Sequence, residues 1–181
     1  MTMGEKIVES NPLMEAFGNA KTLRNNNSSR FGKFTSLHYT KKHTISGCHI
    51  TNLLLEKSRV VYQPMGERNY HVFYQIQTTP ASKYSLKGEP ETEHYTNQSG
   101  CIEVQDMNDA EEFDLTVQSM QAVNIVGAEV DSIMQTVAAV ICLGNVNFTA
   151  AEPCAVDGKP PSLPPSLMAP VVPGSTIDPA C

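Results

Sequence analysis

Residues 19–34 read NAKTLRNNNSSRFGKF, and the centre of this stretch is almost free of apolar side chains. A helix would leave the short Asn and Ser side chains of residues 24–30 competing with the backbone for hydrogen bonds. A strand is equally unfavourable, because asparagine is depleted in strands. We therefore expect residues 24–30 to form an ordered loop between two regular elements, with the rest of the chain arranged around it.

The expected loop has the chemistry of an anion site. Asparagine amides donate hydrogen bonds to phosphate oxygens, a serine hydroxyl is a suitable ligand for Mg²⁺, and arginine supplies a fixed, charged fork. The same residue types are also typical of a solvated polar loop, which is the commoner structure. Composition alone therefore leaves both interpretations open.

Length and charge restrict the class of protein. At 181 residues and 40% hydrophobic content, the chain is long enough for one domain with a core. Its net charge of −6 argues against a general affinity for nucleic acid. Twelve of the 13 Lys and Arg residues lie within residues 1–87, whereas 14 of the 19 Asp and Glu residues lie within residues 88–181. This asymmetry indicates either two solvated surfaces of opposite sign or a surface that faces a partner.

The cysteines show no disulfide or metal-binding pattern. They are odd in number, lack a CxxC spacing and indicate free thiols in a reducing compartment: Cys48, Cys101, Cys142, Cys154 and Cys181. No signal peptide is visible, and the longest apolar run, residues 137–143, is too short to span a bilayer. We expect a cytoplasmic protein without a membrane span.

The sequence predicts helices before the loop and a β-hairpin after it. Residues 5–17 are predicted to be helical in two pieces, with Asn11 capping the second piece. Residues 33–39 and 45–55 alternate loosely in polarity, which predicts two antiparallel strands. Gly47 in the second strand suggests a bulge or a close approach of another backbone segment.

Three further helices are predicted. Residues 67–77 are apolar on most of the circumference and should be buried on several sides. Residues 108–126 begin with a capping-box arrangement and should end before Gly127, and residues 131–143 carry an apolar stripe. The pattern of residues 57–63 is compatible with either an extended or a helical segment.

The composition changes at Thr149. Eight of the twelve prolines lie between Pro153 and Pro179, and no periodicity continues there. Such a segment cannot offset its ordering entropy, so we expect residues 149–181 to be disordered and residues 1–148 to be the structured part.

Several segments, taken in order, resemble the motor domain of myosins, the actin-based ATPases. Residues 19–34 are similar to the family's switch I segment. The likeness covers roughly residues 5–148 and is clearest in the following segments: 7–18, 53–61, 66–75, 97–101, 109–113 and 143–148. They correspond to part of the upper half of the region that bears the motor's cleft.

The resemblance implies a fold for the parent protein and for this segment. The complete motor would be an α/β protein of the P-loop NTPase-like type. On its own, the chain would be a mixed α+β fragment, mainly helices plus a two-stranded β-hairpin after switch I, with a disordered C-terminal tail. Residues 149–181 would lie outside the family.

The resemblance also implies roles for individual residues. Ser29 would be the hydroxyl ligand of Mg²⁺, and Asn25 would contact the phosphates of ATP. Ser28 would lie beside the attacking water, on the route of its proton, and Arg30 would pair with a glutamate of switch II to close the site. Two further nucleotide-site residues would support the loop: Asn19 and Asn27. Phosphoryl transfer depends mostly on positioning and charge, so short polar side chains on a mobile loop can gate it.

Two parts of the family's ATPase site are missing from the 181 residues. There is no GxxxxGK[ST] phosphate loop and no switch II segment of the Asp-x-x-Gly-Phe-Glu type. We therefore expect Mg²⁺ and ATP to bind the complete motor, but not to bind this chain tightly. Without its switch II partner, Arg30 is expected to be exposed or unpaired, and the hairpin is expected to expose its strand edges.

Two functions are compatible with the sequence. In the first, the chain is a fragment of a cytoskeletal myosin, contributing switch I to an actin-activated ATPase, with actin filaments and the remaining motor segments as partners. In the second, it is a truncated, non-catalytic interaction protein derived from a myosin motor. A phosphate loop encoded upstream favours the first, and a stable transcript ending at Cys181 favours the second.

Overall fold

The computed structural model describes residues 2–147, and within them the chain is a mixed α and β structure. Its helices are α1 (Met3–Glu9), α2 (Asn11–Gly18), α3 (His71–Gln75), α4 (Ala81–Tyr84), α5 (His94–Asn97), α6 (Asp109–Ala122) and α7 (Ala128–Gly144). Its strands are β1 (Asn19–Ala20), β2 (Ser28–Ser29), β3 (Gly32–Tyr39) and β4 (Ile45–Leu53). Short 3₁₀ helices cover Lys57–Val60, Ile76–Thr78 and Pro90–Thr92. The tail predicted at residues 149–181 lies outside the described residues.

The N-terminal helix is broken in two, as predicted. The Thr2 hydroxyl accepts a hydrogen bond from the Glu5 backbone N–H, and the Glu5 carboxylate accepts from the Thr2 N–H, which together form a capping box at the start of α1. Ser10 ends α1 and directly precedes α2. The prediction that Asn11 is the cap was wrong, because Asn11 is already helical and Pro12 follows it in the first turn.

The predicted hairpin is confirmed. Strands β3 and β4 are antiparallel, and β4 ends at Leu53, two residues before the predicted end. The register shifts between His38, which lies opposite Gly47, and Tyr39, so the strand is irregular where Gly47 suggested a bulge. Among residues 2–147 neither strand has another neighbour, so the outer edges of this ribbon are unpaired, as expected.

The hydrophobic core lies where α3 packs against α2, α6 and α7. Every residue of α3 is buried, which confirms the burial predicted for this segment. Helices α6 and α7 contribute the following buried apolar side chains: Phe113, Met120, Val130, Met134, Val137, Ala138 and Ile141. The apolar stripes read from the sequence therefore do face this core.

The helix predicted at residues 67–77 is shorter than expected. Helix α3 and the 3₁₀ turn after it cover residues 71–78 only. Residues 67–70 are not helical, because their polar groups bind other segments of the chain. The Arg68 guanidinium forms a 2.8 Å ion pair with the first carboxylate of α6, and the Asn69 amide donates to two backbone carbonyls outside the helix. These tertiary contacts override the local helical pattern.

The boundary between α6 and α7 also differs from the prediction. Asn108 caps α6 as expected, through its side-chain oxygen. The capping box is not formed, because Glu111 accepts a hydrogen bond from the Asn108 side-chain amide and not from its backbone N–H. The helix ends at Ala122 rather than at residue 126, and Asn124 in the turn has a left-handed φ of 67°. Gly127, predicted to terminate α6, instead precedes Ala128 at the start of α7 with a φ of 56°.

Exposed apolar side chains are frequent on the hairpin and directly after it: Phe34, Leu37, Tyr39, Leu53, Leu54 and Leu55. Among residues 2–147, no helix is long and apolar enough to cross a bilayer.

Substitution of Ile141 by alanine tests the assignment of the core. Ile141 is fully buried on α7, whereas Leu143 on the same helix is 62% exposed. We expect Ile141→Ala to lower the free energy of unfolding by about 2–5 kcal/mol, through lost burial and the cavity left behind. The matched control Leu143→Ala should change it by less than about 0.5 kcal/mol. Urea unfolding of the full chain measures both values, and equal effects would contradict the assignment.

Candidate functional site

The loop that follows α2 is closed at its base by a two-residue antiparallel ladder. Strand β1 pairs with β2, so that Asn19 lies opposite Ser29 and Ala20 lies opposite Ser28. The Arg30 N–H also donates to the Gly18 carbonyl at 2.8 Å. The prediction of a loop over residues 24–30 therefore needs correction, because its last part is paired backbone. A strand of two residues has no periodicity in sequence and gives no signal that could have revealed it.

The tip of the loop is held by its own side chains. The Thr22 hydroxyl accepts a hydrogen bond from the Asn25 N–H at 3.2 Å, and the Asn25 side-chain oxygen accepts from the Asn27 N–H at 2.8 Å. Such local side-chain contacts stabilise a turn without help from regular secondary structure. The loop is ordered in the way that its Asn-rich sequence suggested.

Asn27 connects the loop to the helices beneath it. Its carboxamide oxygen accepts from the Asn19 side-chain amide at 3.0 Å and lies 3.1 Å from Nε2 of His71 on α3. Its amide nitrogen donates to a carboxylate oxygen of Glu15 on α2 at 2.8 Å. One side chain of the loop thus contacts two helices and the first strand. Neither Asn27 nor Asn19 lines the cavity described below.

The two serines of β2 face different groups. The Ser28 hydroxyl lies 3.4 Å from Nη1 of Arg30, and the Ser29 hydroxyl donates to the Phe31 carbonyl at 3.1 Å. Ser29 is exposed, and a hydroxyl that donates its proton keeps two lone pairs for an acceptor role. Its oxygen therefore remains suitable as a ligand for a hard cation.

Arg30 is neither fully exposed nor unpaired, which corrects the expectation from sequence. Its Nε lies 2.6 Å from a carboxylate oxygen of Glu56, and the same oxygen lies 2.8 Å from Nε of Arg59. Arg59 is only 4% exposed and forms a second ion pair with Glu67 at 2.9 Å. The resemblance implied a switch II glutamate as the partner of Arg30, whereas Glu56, three residues after the end of β4, pairs with Arg30 within this chain.

These charges stabilise one another. Burial alone would raise the pKa of Glu56, but the hydrogen bonds from Arg59 and Arg30 hold it below its usual range. Burial alone would lower the pKa of Arg59, but the carboxylates of Glu56 and Glu67 raise it. In the alternating row Arg30–Glu56–Arg59–Glu67, the two middle groups, Glu56 and Arg59, are therefore charged at neutral pH.

A cavity of about 340 Å³ opens beside this row of charges. Its lining consists of Thr22, Leu23, Arg24, Asn25, Ser28, Arg30, Arg59 and Glu67. Three of the predicted site residues line it, namely Asn25, Ser28 and Arg30, whereas Ser29, Asn19 and Asn27 do not. Guanidinium, amide and hydroxyl groups bind phosphate oxygens well, so the donor set fits a polyphosphate.

Several residues of this site were not predicted from the sequence. Arg59 and Glu67 line the cavity, and Glu56 joins Arg59 to Arg30. A signal was available, since Glu56 and Arg59 lie in one of the segments that resemble the motor family, and Glu67 lies in another. For residues 67–77 the sequence predicted only a buried helix, so it did not reveal the position of Glu67 beside the cavity.

Comparison with known proteins identifies relatives along most of the chain. The family model for the myosin head (motor domain) matches residues 1–160. Myosin-8 of Arabidopsis thaliana is 49% identical over 150 residues, which is 81% of this chain and 10% of that protein. The myosin-I heavy chain of Dictyostelium discoideum is 46% identical over 147 residues, or 80% of this chain and 6% of that protein. The chain thus spans about a tenth or less of the length of these relatives.

His71, which contacts the loop through Asn27, is 3% exposed. Burial, with a smaller effect from the positive charge of Arg68, lowers the pKa of His71 to about 4. The imidazole is therefore neutral in the folded protein at neutral pH. In the unfolded chain a histidine titrates near pH 6.5.

Folding should consequently depend on pH through His71. Between about pH 6.5 and pH 4 the unfolded chain binds a proton that the folded chain does not, so the contribution is complete above pH 6.5 and is lost as the pH falls towards 4. We expect wild type to lose about 3 kcal/mol more unfolding free energy than His71→Gln between pH 7 and pH 4. Denaturant titrations at several pH values measure this difference, and parallel pH profiles would contradict a buried neutral histidine.

Proposed function

Because the chain belongs to the myosin head (motor domain) family, we propose that it is part of an actin-activated ATPase motor and supplies the switch I loop of that motor. The observation that carries the proposal is the cavity beside the loop, where Asn25, Ser28 and Arg30 meet. Its donors have the chemistry that a nucleoside triphosphate requires. The remaining parts of the site, a phosphate loop and switch II, would come from other segments of the motor.

The residues of the cavity take different roles in this proposal. Asn25 and Ser28, which line the cavity, would present short polar side chains to the phosphates, and Ser28 would pass on the proton of the attacking water. Arg30 supplies a positive charge whose position is fixed by Glu56. Catalysis of phosphoryl transfer consists mainly of such positioning and charge stabilisation, so no covalent chemistry is asked of the loop.

Ser29 is the residue of this chain that would hold Mg²⁺. When bound there, the cation would offset part of the negative charge of the phosphates. The exposed Ser29 hydroxyl donates to the Phe31 carbonyl, which fixes its orientation while leaving its lone pairs available. One hydroxyl is not a complete magnesium site, so the other ligands would be phosphate oxygens, water and groups from the rest of the motor.

Arg30 would change partners when the site closes. In this structure Glu56 holds Arg30, and the same Glu56 carboxylate is also bound by Arg59. If a switch II glutamate takes Arg30, Glu56 keeps Arg59 and is not left as a lone buried charge. The exchange therefore avoids the high cost of breaking a buried ion pair, which is about 3–5 kcal/mol when one partner is simply removed.

Several wider properties follow from the same proposal. The complete motor would have the α/β, P-loop NTPase-like fold, would bind actin filaments through segments outside this chain, and would act in the cytoskeleton. The exposed apolar side chains of the hairpin, such as Phe34 and Leu53, would pack against neighbouring strands of that motor.

The hairpin also supports a second candidate function. An unpaired two-stranded ribbon with exposed apolar side chains is a surface on which another protein can add a strand. A product of these 181 residues alone would then be a non-catalytic interaction protein derived from a motor. The two candidates differ in whether the loop ever meets a nucleotide.

A chimeric motor tests the first candidate. Residues 5–147 replace the matching segment of the Arabidopsis myosin-8 motor domain, and ATP hydrolysis is measured with and without actin. We expect the chimera to retain actin-activated hydrolysis and Ser29→Ala to lower it by on the order of 100-fold. Ser36→Ala, on β3 away from the cavity, is the matched control and should leave the rate unchanged. Equal rates for Ser29→Ala and the control would refute the switch I assignment.

The 181-residue chain alone should not bind nucleotide tightly. Because no phosphate loop supplies backbone donors and a lysine for the β- and γ-phosphates, we expect isothermal titration calorimetry to detect no micromolar binding of Mg-ATP. Hydrolysis should be negligible as well. Micromolar affinity that disappears in Ser29→Ala would show instead that this chain carries a complete site.

A further inference from the structure

His71 occupies an unusual position for a titratable residue. It is the first residue of α3, it is buried in the core, and its side chain reaches the loop on the outside of that core. Its Nε2 lies 3.1 Å from the Asn27 carboxamide oxygen, while its buried Nδ1 has no hydrogen-bond partner among the described residues. The one polar contact of the ring is therefore made with the loop.

The chemistry of Asn27 determines the direction of that hydrogen bond. Its carboxamide nitrogen donates to Glu15, so the atom facing His71 is the oxygen, which can only accept. His71 must therefore carry its proton on Nε2 and donate it. The unpaired atom is then Nδ1, a lone pair rather than an N–H, which is the less costly of the two to leave unsatisfied in a protein interior.

Asn27 in turn sets the shape of the loop. Its backbone N–H donates to the Asn25 side chain, and its neighbour Ser28 lines the cavity. Asn25, Asn26 and Asn27 are otherwise exposed, so their packing contributes little to order. A displacement of the Asn27 side chain would move both Asn25 and Ser28.

We propose that His71 and Glu15 are positioning residues for the anion-binding face of the loop, acting through the Asn27 carboxamide, with the His71 Nε2–H donating to its oxygen and the Glu15 carboxylate accepting from its nitrogen. The helices α3 and α2 thus hold the loop through one amide. That this positioning serves nucleotide binding rests on the proposed function, whereas the positioning itself does not.

Hydrogen–deuterium exchange of the full 181-residue chain tests the positioning. His71→Leu removes the donor and keeps a similar apolar volume, and His71→Gln places an amide N–H near the position of Nε2. Glu15→Ala removes the acceptor from an exposed site on α2, where folding is not at risk, and Glu9→Ala on α1 is the matched control. Circular dichroism checks that each variant retains its helices.

We expect amides of residues 21–29 to exchange roughly tenfold faster in His71→Leu, in line with the loss of one hydrogen bond, and several-fold faster in Glu15→Ala. His71→Gln should restore most of the protection, and Glu9→Ala should match wild type. With Asn27→Ala in the background, adding His71→Leu should have no further effect on these amides. Unchanged exchange in both His71→Leu and Glu15→Ala, or failure of His71→Gln to restore protection, would overturn the proposal. If His71→Leu does not fold, Glu15→Ala alone decides.

A second readout reports the tautomer. In the ¹⁵N-labelled chain at neutral pH, the two ring nitrogens of His71 should show the Nε2–H form. An Nδ1–H ring in wild type would overturn the proposal.

In the chimeric motor, His71→Leu should lower kcat more than it raises KM. If the loop loosens as expected while the chimera hydrolyses no ATP, the positioning stands and the proposed function fails.

Discussion

The burial of α3 is the constraint on which the other features depend. All five residues of this helix are buried, and among them the polar side chains of His71 and Gln75 are shielded from solvent. A buried polar group without a partner costs roughly 1–3 kcal/mol, so each needs a contact from another segment. Gln75 receives one from the Thr116 hydroxyl on α6, and His71 has Asn27 of the loop. The hydrogen bond between buried His71 and Asn27 therefore helps to fix a loop that has little packing of its own.

A second set of contacts joins the loop to the hairpin. The row of alternating charges runs from Arg30 through Glu56 and Arg59 to Glu67, and Arg59 also donates to the Arg68 carbonyl at 3.1 Å. At the end of α2, position 18 requires glycine, because a Cβ there would overlap the ring of Phe31, the residue after Arg30. The loop is thus held by ion pairs at its end and by a single amide near its centre. Between them the cavity keeps its polar lining.

The sequence predicted features that depend on local patterns. The hairpin, the irregularity opposite Gly47, the cap at Asn108 and the inward stripes of α6 and α7 each follow from residue type and spacing. Features set by distant partners were missed. The shortened α3 results from contacts of Arg68 and Asn69 with segments far away in the chain, and the pairing of β1 with β2 involves too few residues to produce a pattern. Likewise, no local rule could join Glu56 to Arg30, which lies 26 positions earlier.

The most direct test of the central claim, that this loop holds the phosphates and the metal of a motor, is a crystal structure of the chimeric motor with Mg²⁺, ADP and vanadate. The account predicts that the Ser29 oxygen lies about 2.1 Å from Mg²⁺, with Asn25 and Ser28 on the phosphate or vanadate oxygens. It also predicts that Arg30 has left Glu56 for a glutamate of switch II. Nucleotide bound with Ser29 remote from the metal, and with Asn25 and Ser28 facing solvent, would contradict it.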